Sequence, residues 1–345
     1  MGSRGFSEMG RPRDRDFVET VEGLLFCVVG YLHPPDRVTA YLKYVPEEGG
    51  KWRRGETGYA RVLPYYHVSQ VENTYDYLGE SHPRYLFSCP VRNITVSSVP
   101  LEDVKVYYRP GERLASIVED GPKDDLEYRL RDLATILTGL SGLKVDDLGV
   151  TGSILTGSHS PNFSDMDLTV YGAEASLRLK EALLEMREEQ GTVRPFTSAK
   201  KEVWSRGRAG RFPLSFAELM EFAERRWNYG IFMDTYFSVH PVRTDEEITE
   251  EYGDRTYTQL GAVKGRGVIS DSSESIFLPA LYGVEDVESD DSDGSRISEV
   301  ASYEGLYCDM FDPGDRVEFS GVLEQVTGEA EFLRVVIGGA GSEPS

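Results

Sequence analysis

The sequence predicts an α+β protein, with a central segment that alternates helix and strand and β-rich chain on either side. Three observations predict it: a change of texture near residue 120, another near 245, and an acidic excess confined to the last hundred residues. With 345 residues the chain has room for two or three domains of ordinary size. Residues 1–120 carry 15 basic and 17 acidic side chains, 121–245 carry 16 and 19, and 246–345 carry 6 and 23. Most of the formal charge of −22 therefore sits at the C-terminal end, where it reads as a solvated acidic surface that repels phosphate backbones.

Taken in order, residues 1–15 are polar and aperiodic and read as a flexible tail. From Asp16 to Asp120 short runs rich in Val and Tyr, such as Leu24–Tyr31, Val38–Val45 and Asn93–Val99, are cut by Pro34-Pro35, Gly49-Gly50, Pro90 and Pro110-Gly111. That punctuation predicts a mostly β module. Its Tyr65-Tyr66-His67 and Tyr75-Asp76-Tyr77 clusters read as core or interface aromatics. Beyond it, Asp124-Asp125 precede Leu126, Leu130, Leu133, Ala134 and Leu137, the stripe of a helix with acids at its start. Val145–Val150 and Met166–Tyr171 read as strands and Ala173–Gln190 as a helix. Ser215 with Glu218 forms a capping box that opens a helix over Phe216–Trp227, and Tyr229–Val239 reads as one long strand. After Thr244, runs at Tyr257–Val263, Ile276–Val284, Arg316–Val326 and Phe332–Ile337 predict a small β barrel or sandwich. The expected division is 1–15, 16–120, 121–245 and 246–345.

No run of about 18 apolar residues is present, and the N-terminus lacks the apolar stretch of a secretion signal. Cys27, Cys89 and Cys308 lie too far apart in sequence for a disulfide framework or a zinc cluster. The expectation is a soluble, cytoplasmic protein with no membrane partner.

Chemistry concentrates in one stretch, Leu148-Gly149-Val150-Thr151-Gly152-Ser153 and, after a gap, Ser164-Asp165-Met166-Asp167-Leu168. A strand runs into Gly152-Ser153, where glycine lets a phosphate approach the backbone and serine offers a hydroxyl and an N–H. Asp165 and Asp167 at i and i+2 on a strand share a face, with Cα atoms roughly 6–7 Å apart. Their carboxylates can lean together onto hard cations, and two-metal phosphoryl chemistry needs ions about 3.5–4 Å apart. A third carboxylate is expected at Asp234, the only charged residue between Trp227 and Val242. Buried in an apolar strand, it needs a cation or hydrogen bonds to offset its desolvation. A second constellation, Arg194, Lys200, Lys201, Arg206, Arg208 and Arg211 against Glu202 alone, reads as a basic loop able to reach a triphosphate. His159 reads as an exposed loop side chain.

Together Gly152-Ser153, Asp165-Met166-Asp167-Leu168 and Asp234 resemble the nucleotidyltransferase superfamily with the polymerase-β-like fold. More narrowly, the chain resembles archaeal-type predicted nucleotidyltransferases of unknown substrate. The resemblance covers residues 121–245. It implies a mixed sheet with helices, carrying an N-terminal mostly β module and a C-terminal β module. It implies that Asp165, Asp167 and Asp234 are catalytic and bind Mg²⁺, as two ions, with Mn²⁺ as a substitute. Gly152, Ser153, Ser164, Lys200 and Lys201 are then the candidates for nucleotide binding.

The expected activity is transfer of an NMP group from an NTP to an acceptor with release of pyrophosphate. The charge distribution favours a small molecule or protein acceptor over a long nucleic acid. Two alternatives stand beside it: a non-catalytic nucleotide-binding regulatory module on the same fold, and a transferase acting on an RNA end.

Overall fold

Short alternating runs in the first hundred residues pair into an antiparallel sheet. In the computed structural model, which describes residues 10–62, 71–188, 191–291 and 293–338, this sheet contains β1 (Phe17–Thr20), β2 (Leu25–Val28), β3 (Arg37–Pro46), β4 (Trp52–Arg54), β5 (Thr57–Arg61), β6 (Leu86–Cys89), β7 (Ile94–Pro100) and β8 (Val104–Tyr108). Its main path runs β4-β5-β3-β2-β1-β8, with β7 joining β3 to β6. Helix α1 (Val71–Ser81) carries Tyr75 and Tyr77; Tyr65-Tyr66-His67 fall outside the described residues.

Residues 10–15, expected as tail, are packed against this module instead. Arg15 N donates to Val28 O, Asp14 accepts from Gly30 N at 2.9 Å, and Arg13 pairs with Asp245 at 2.9 Å. Backbone pairing and two anchored charges hold a segment whose composition alone looks unstructured.

The central segment gains helix α2 (Pro110–Glu119), whose Leu114 and Ile117 are buried in the core of the following sheet. Asp124 then caps α3 (Asp125–Ser141), accepting from the N–H groups of Leu126 and Glu127, which satisfies two orphan donors of the first turn. The predicted stripe, Leu126, Leu130, Leu133, Ala134 and Leu137, is fully buried. Strand β9 (Leu148–Val150) leads into a single turn, α4 (Gly152–Leu155), and a loop returns to β10 (Met166–Tyr171). After α5 (Ala173–Glu188) come β11 (Val193–Arg194), α6 (Ser198–Arg206), α7 (Phe216–Arg225), β12 (Tyr229–Phe232) and β13 (Thr235–Val242).

These strands form a mixed sheet in the order β11-β12-β13-β10-β9, in which only β10 and β13 run parallel. The single long strand expected over Tyr229–Val239 is two strands. Met233 and Asp234 both adopt positive φ, 46° and 59°, which folds the chain into a two-residue hairpin turn.

The C-terminal strands β14 (Thr256–Asp271), β15 (Ala280–Ser289), β16 (Ile297–Ser302), β17 (Arg316–Thr327) and β18 (Glu331–Ile337) close into a barrel. Apolar clusters weld the three regions. Leu155 packs among Phe17, Leu25, Cys27, Tyr44 and Tyr59 of the N-terminal sheet. Ile276 and Phe277 enter the central core, and Leu306, Tyr307 and Met310 meet Trp204, Leu219 and Phe222. Among the described residues no helix is long and apolar enough to cross a membrane.

Candidate active site

The site begins with the pleat of β10. Met166, Leu168 and Val170 are fully buried, so the alternation turns Asp167 the other way, half-buried, while Asp165 stands exposed at the strand's entry. β9 lies alongside, with Val150 opposite Leu168, and the next residue, Thr151, donates its N–H to Asp167 O at 2.8 Å. Gly152 follows at φ +68°; a Cβ there would lie 2.9 Å from Asp167 Oδ2. The Gly-Ser turn and the Asp pair are therefore in contact, and glycine is required both by φ and by the carboxylate beside it.

Although the residue is open to solvent on one side, the protein crowded around its carboxyl, and then the like charge of Asp167, push Asp165 up to about 6, against the pull of Arg61 and Lys51. Both cations come from the N-terminal sheet, Arg61 ending β5 and Lys51 just before β4. Arg53 N donates to Ser158 O at 3.1 Å, and Trp52 meets Phe163 edge-on at 6.1 Å. The N-terminal module thus clasps the loop between Gly152 and Asp165.

On the other flank, β13 places Ser238 directly opposite Asp167. Ser238 Oγ donates to Asp167 Oδ1 at 2.6 Å and lies 2.9 Å from His240 Nε2. Burial, with the charges of Arg15, Lys43 and Arg226 behind it, holds His240 well below the usual histidine range, so it is a neutral imidazole. Ser238 and His240 occupy the ground where a third carboxylate was expected.

Asp234 is elsewhere. It sits at the tip of the β12–β13 hairpin, its side chain 94% exposed and paired with Arg194 at 2.9 Å. Four residues of extended chain separate it from Ser238, about 13 Å. Exposure and the Arg194 guanidinium offset the cost of its charge. The expected three-carboxylate centre is a pair.

The basic stretch is corrected too. Instead of a loop, half of it is α6, capped by Thr197, and three of its six basic side chains are ion-paired in it: Arg206 with Glu202, Lys201 with Glu224, Arg194 with Asp234. Lys200 is exposed on the same helix. Ser164, buried, accepts from Ser160 N at 3.0 Å and braces the loop. Ser153 is buried immediately after Gly152.

His159, expected at the surface, has a side chain only 8% exposed, with Nε2 2.8 Å from Asp124 Oδ2. Asp124, Glu127 and His159 bring ligand atoms within 4.8 Å of one another; among the described residues this is the only such trio. Its oxygens are already engaged, because Glu127 pairs with Arg113 and accepts from Lys123 N, and Asp124 caps α3. With Arg113 Nε donating to Ile154 O, the cluster braces the turn after Ser153.

Asp165 and Asp167 offer hard oxygens whose mutual repulsion a divalent cation would relieve, so the residues fit such an ion. They supply two carboxylates, and no third acid, cysteine or histidine among the described residues completes a trio with them.

One wall was only partly visible to motif reasoning. A cavity of about 370 Å³ lies beside His240, lined by five arginines, Arg15, Arg61, Arg208, Arg211 and Arg226. Arg208 and Arg211 belong to the basic stretch singled out in the sequence, whereas Arg15, Arg61 and Arg226 come from remote segments, and spacing carries no signal of their convergence.

Comparison with known proteins agrees with this geometry. Residues 130–207 match the nucleotidyltransferase domain family. The chain is 31% identical over 331 residues to the uncharacterized protein MJ1086 of Methanocaldococcus jannaschii, covering 94% of this chain and 95% of that one. No solved structure matches.

Proposed function

Since this chain belongs to the nucleotidyltransferase family, we propose that it transfers an NMP group from an NTP to an acceptor, with a divalent cation held by Asp165 and Asp167. The observation that carries this reading is the contact of the Gly152 turn with Asp167, which sets a phosphate-approachable backbone against a metal-binding pair. The cation, when bound, neutralises phosphate charge and polarises the α-phosphoryl group. Mg²⁺ is the proposed ion, and with only two carboxylates a single resident ion fits better than two. Ser238 fixes the rotamer of Asp167 through its 2.6 Å hydrogen bond. Neutral His240 lines the arginine-bordered cavity and, because Ser238 gives its hydroxyl hydrogen to Asp167, turns an Nε2–H to the Ser238 oxygen, so it positions that hydroxyl rather than taking up a proton.

The missing third carboxylate favours a second reading, a domain that binds nucleotide without turning it over. Pyrophosphate release from each NTP with Mg²⁺ and a cellular small-molecule extract, on wild type and Asp167→Asn, separates them. Release by wild type alone supports transfer. Mg·NTP binding with no release in any extract or with any RNA overturns it in favour of the binding module.

A further inference from the structure

We infer that the arginine-lined cavity beside His240 is the acceptor site, and that the acceptor is a small molecule bearing a phosphate monoester. This rests on the transfer reading and adds the substrate class to it.

Two of the cavity's wall residues link it to the Asp pair, which does not itself line it, and it does not share the Gly-Ser turn. Arg61 lines it and also acts electrostatically on Asp165, and His240 lines it while reaching Asp167 through Ser238. Gly152 and Ser153 are not among its walls. An NTP laid along that turn therefore leaves the cavity to the second substrate. Its volume, about 370 Å³, lies in the range of small-molecule pockets and is far too small for a polymer.

The lining chemistry selects the ligand. Against five guanidinium groups stand Asp14, Glu304 and Asp309. Asp14 faces Arg15 at 3.1 Å, and Asp309 is bound by Lys180 at 2.8 Å and by Trp227 Nε1 at 2.5 Å. Five guanidinium groups against three carboxylates give the lining a formal excess of positive charge. Burial and the nearby Arg226 and Arg211 weaken the hold of Arg208 on its proton. Packing fixes the forks: Arg208 lies over the Trp204 ring at 3.8 Å and Arg226 over Tyr229 at 4.8 Å, with Arg226 donating to Gly305 O. Preorganised planar donors of this kind match phosphate oxygens bidentately.

The test uses the full chain and calorimetric titration with ribose 5-phosphate and inorganic phosphate, with ribose and succinate as controls. Wild type binds both phosphates and neither control, and Arg208→Gln and Arg211→Gln each weaken phosphate binding at least 10-fold. Both variants keep their Mg·NTP affinity within 2-fold and melt within a few degrees of wild type. Absence of phosphate binding, equal binding of succinate, or indifference of both variants overturns the assignment. A parallel loss of NTP affinity also overturns it, giving the cavity to the donor's triphosphate. Phosphate binding in a wild type that binds no Mg·NTP leaves the cavity assignment standing and defeats the transfer reading instead.

Discussion

Ser238 Oγ donates to Asp167 Oδ1 across the parallel pair β10–β13, at 2.6 Å and in direct register. The bond holds one carboxylate of the pair in place and ties it to His240, 2.9 Å from the same hydroxyl. Removing such an orienting partner typically costs 10–100-fold in metal affinity or activity. Ser238→Ala is therefore expected to lower transfer about 10–100-fold with little change in Tm. Steady-state kinetics at varied Mg²⁺ checks this; Ser238→Thr, which keeps the hydroxyl, should recover part of the loss.

Asp167 and Asp234 should separate sharply. Asp167→Asn removes charge from the pair proposed to bind the cation and should reduce transfer on the order of 10³-fold. Asp234→Ala touches an exposed turn whose ion pair with Arg194 is worth little at a surface, and should stay within 2-fold of wild type. Comparable losses in the two variants would restore Asp234 to the site.

This contrast shows what local sequence can and cannot carry. Asp165, Asp167 and Gly152 were legible because strand alternation and a Gly-Ser turn are short-range patterns. Asp234 misled because Tyr229–Val239 is apolar throughout, and its break at Met233-Asp234 lacks the glycine or asparagine that marks a left-handed turn. Ser238 and His240 needed the register of β13 on β10, and the arginine wall needed segments from residue 15 to residue 226 brought together. Those are tertiary facts with no local signature.

The Asp165 carboxyl predicts a pH signature. Its folded value, about 6, lies above the ordinary value of 3.8, so the native state binds that proton more tightly than the unfolded chain. Stability contributed by the group is present below about pH 4 and is lost as pH rises to about 6. Asp165→Asn, which cannot ionise, should therefore raise Tm of the metal-free protein at pH 8 and leave it nearly unchanged at pH 4. Mg²⁺ stabilises only the wild type and should narrow the gap. Thermal unfolding at both pH values, with EDTA and with Mg²⁺, measures it; the same shift at pH 4 and pH 8 would contradict the assignment.

Arg113 and Glu127 form a buried pair behind the motif, with Glu127 side chain 1% exposed. Breaking one partner of such a pair costs about 3–5 kcal/mol, because the other charge stays buried alone. Glu127→Gln should lower unfolding free energy in urea by about that amount. The cycle with Arg113→Met should show strong coupling, and additive losses would argue against the brace.

Gly152 and Gly157 allow strain and contact to be told apart. Both adopt nearly the same left-handed φ, +68° and +66°. A Cβ at Gly157 meets nothing within 4 Å, whereas one at Gly152 meets Asp167 Oδ2 at 2.9 Å. Alanine at either position bears the left-handed penalty of about 1–2 kcal/mol, so both variants should lose some Tm. Only Gly152→Ala must also move the carboxylate proposed to bind the cation. Transfer and Mg·NTP affinity should accordingly fall at least 10-fold in Gly152→Ala and stay within about 2-fold in Gly157→Ala. Equal losses in the two would mean that the turn acts through its backbone strain alone, and that its contact with Asp167 is incidental.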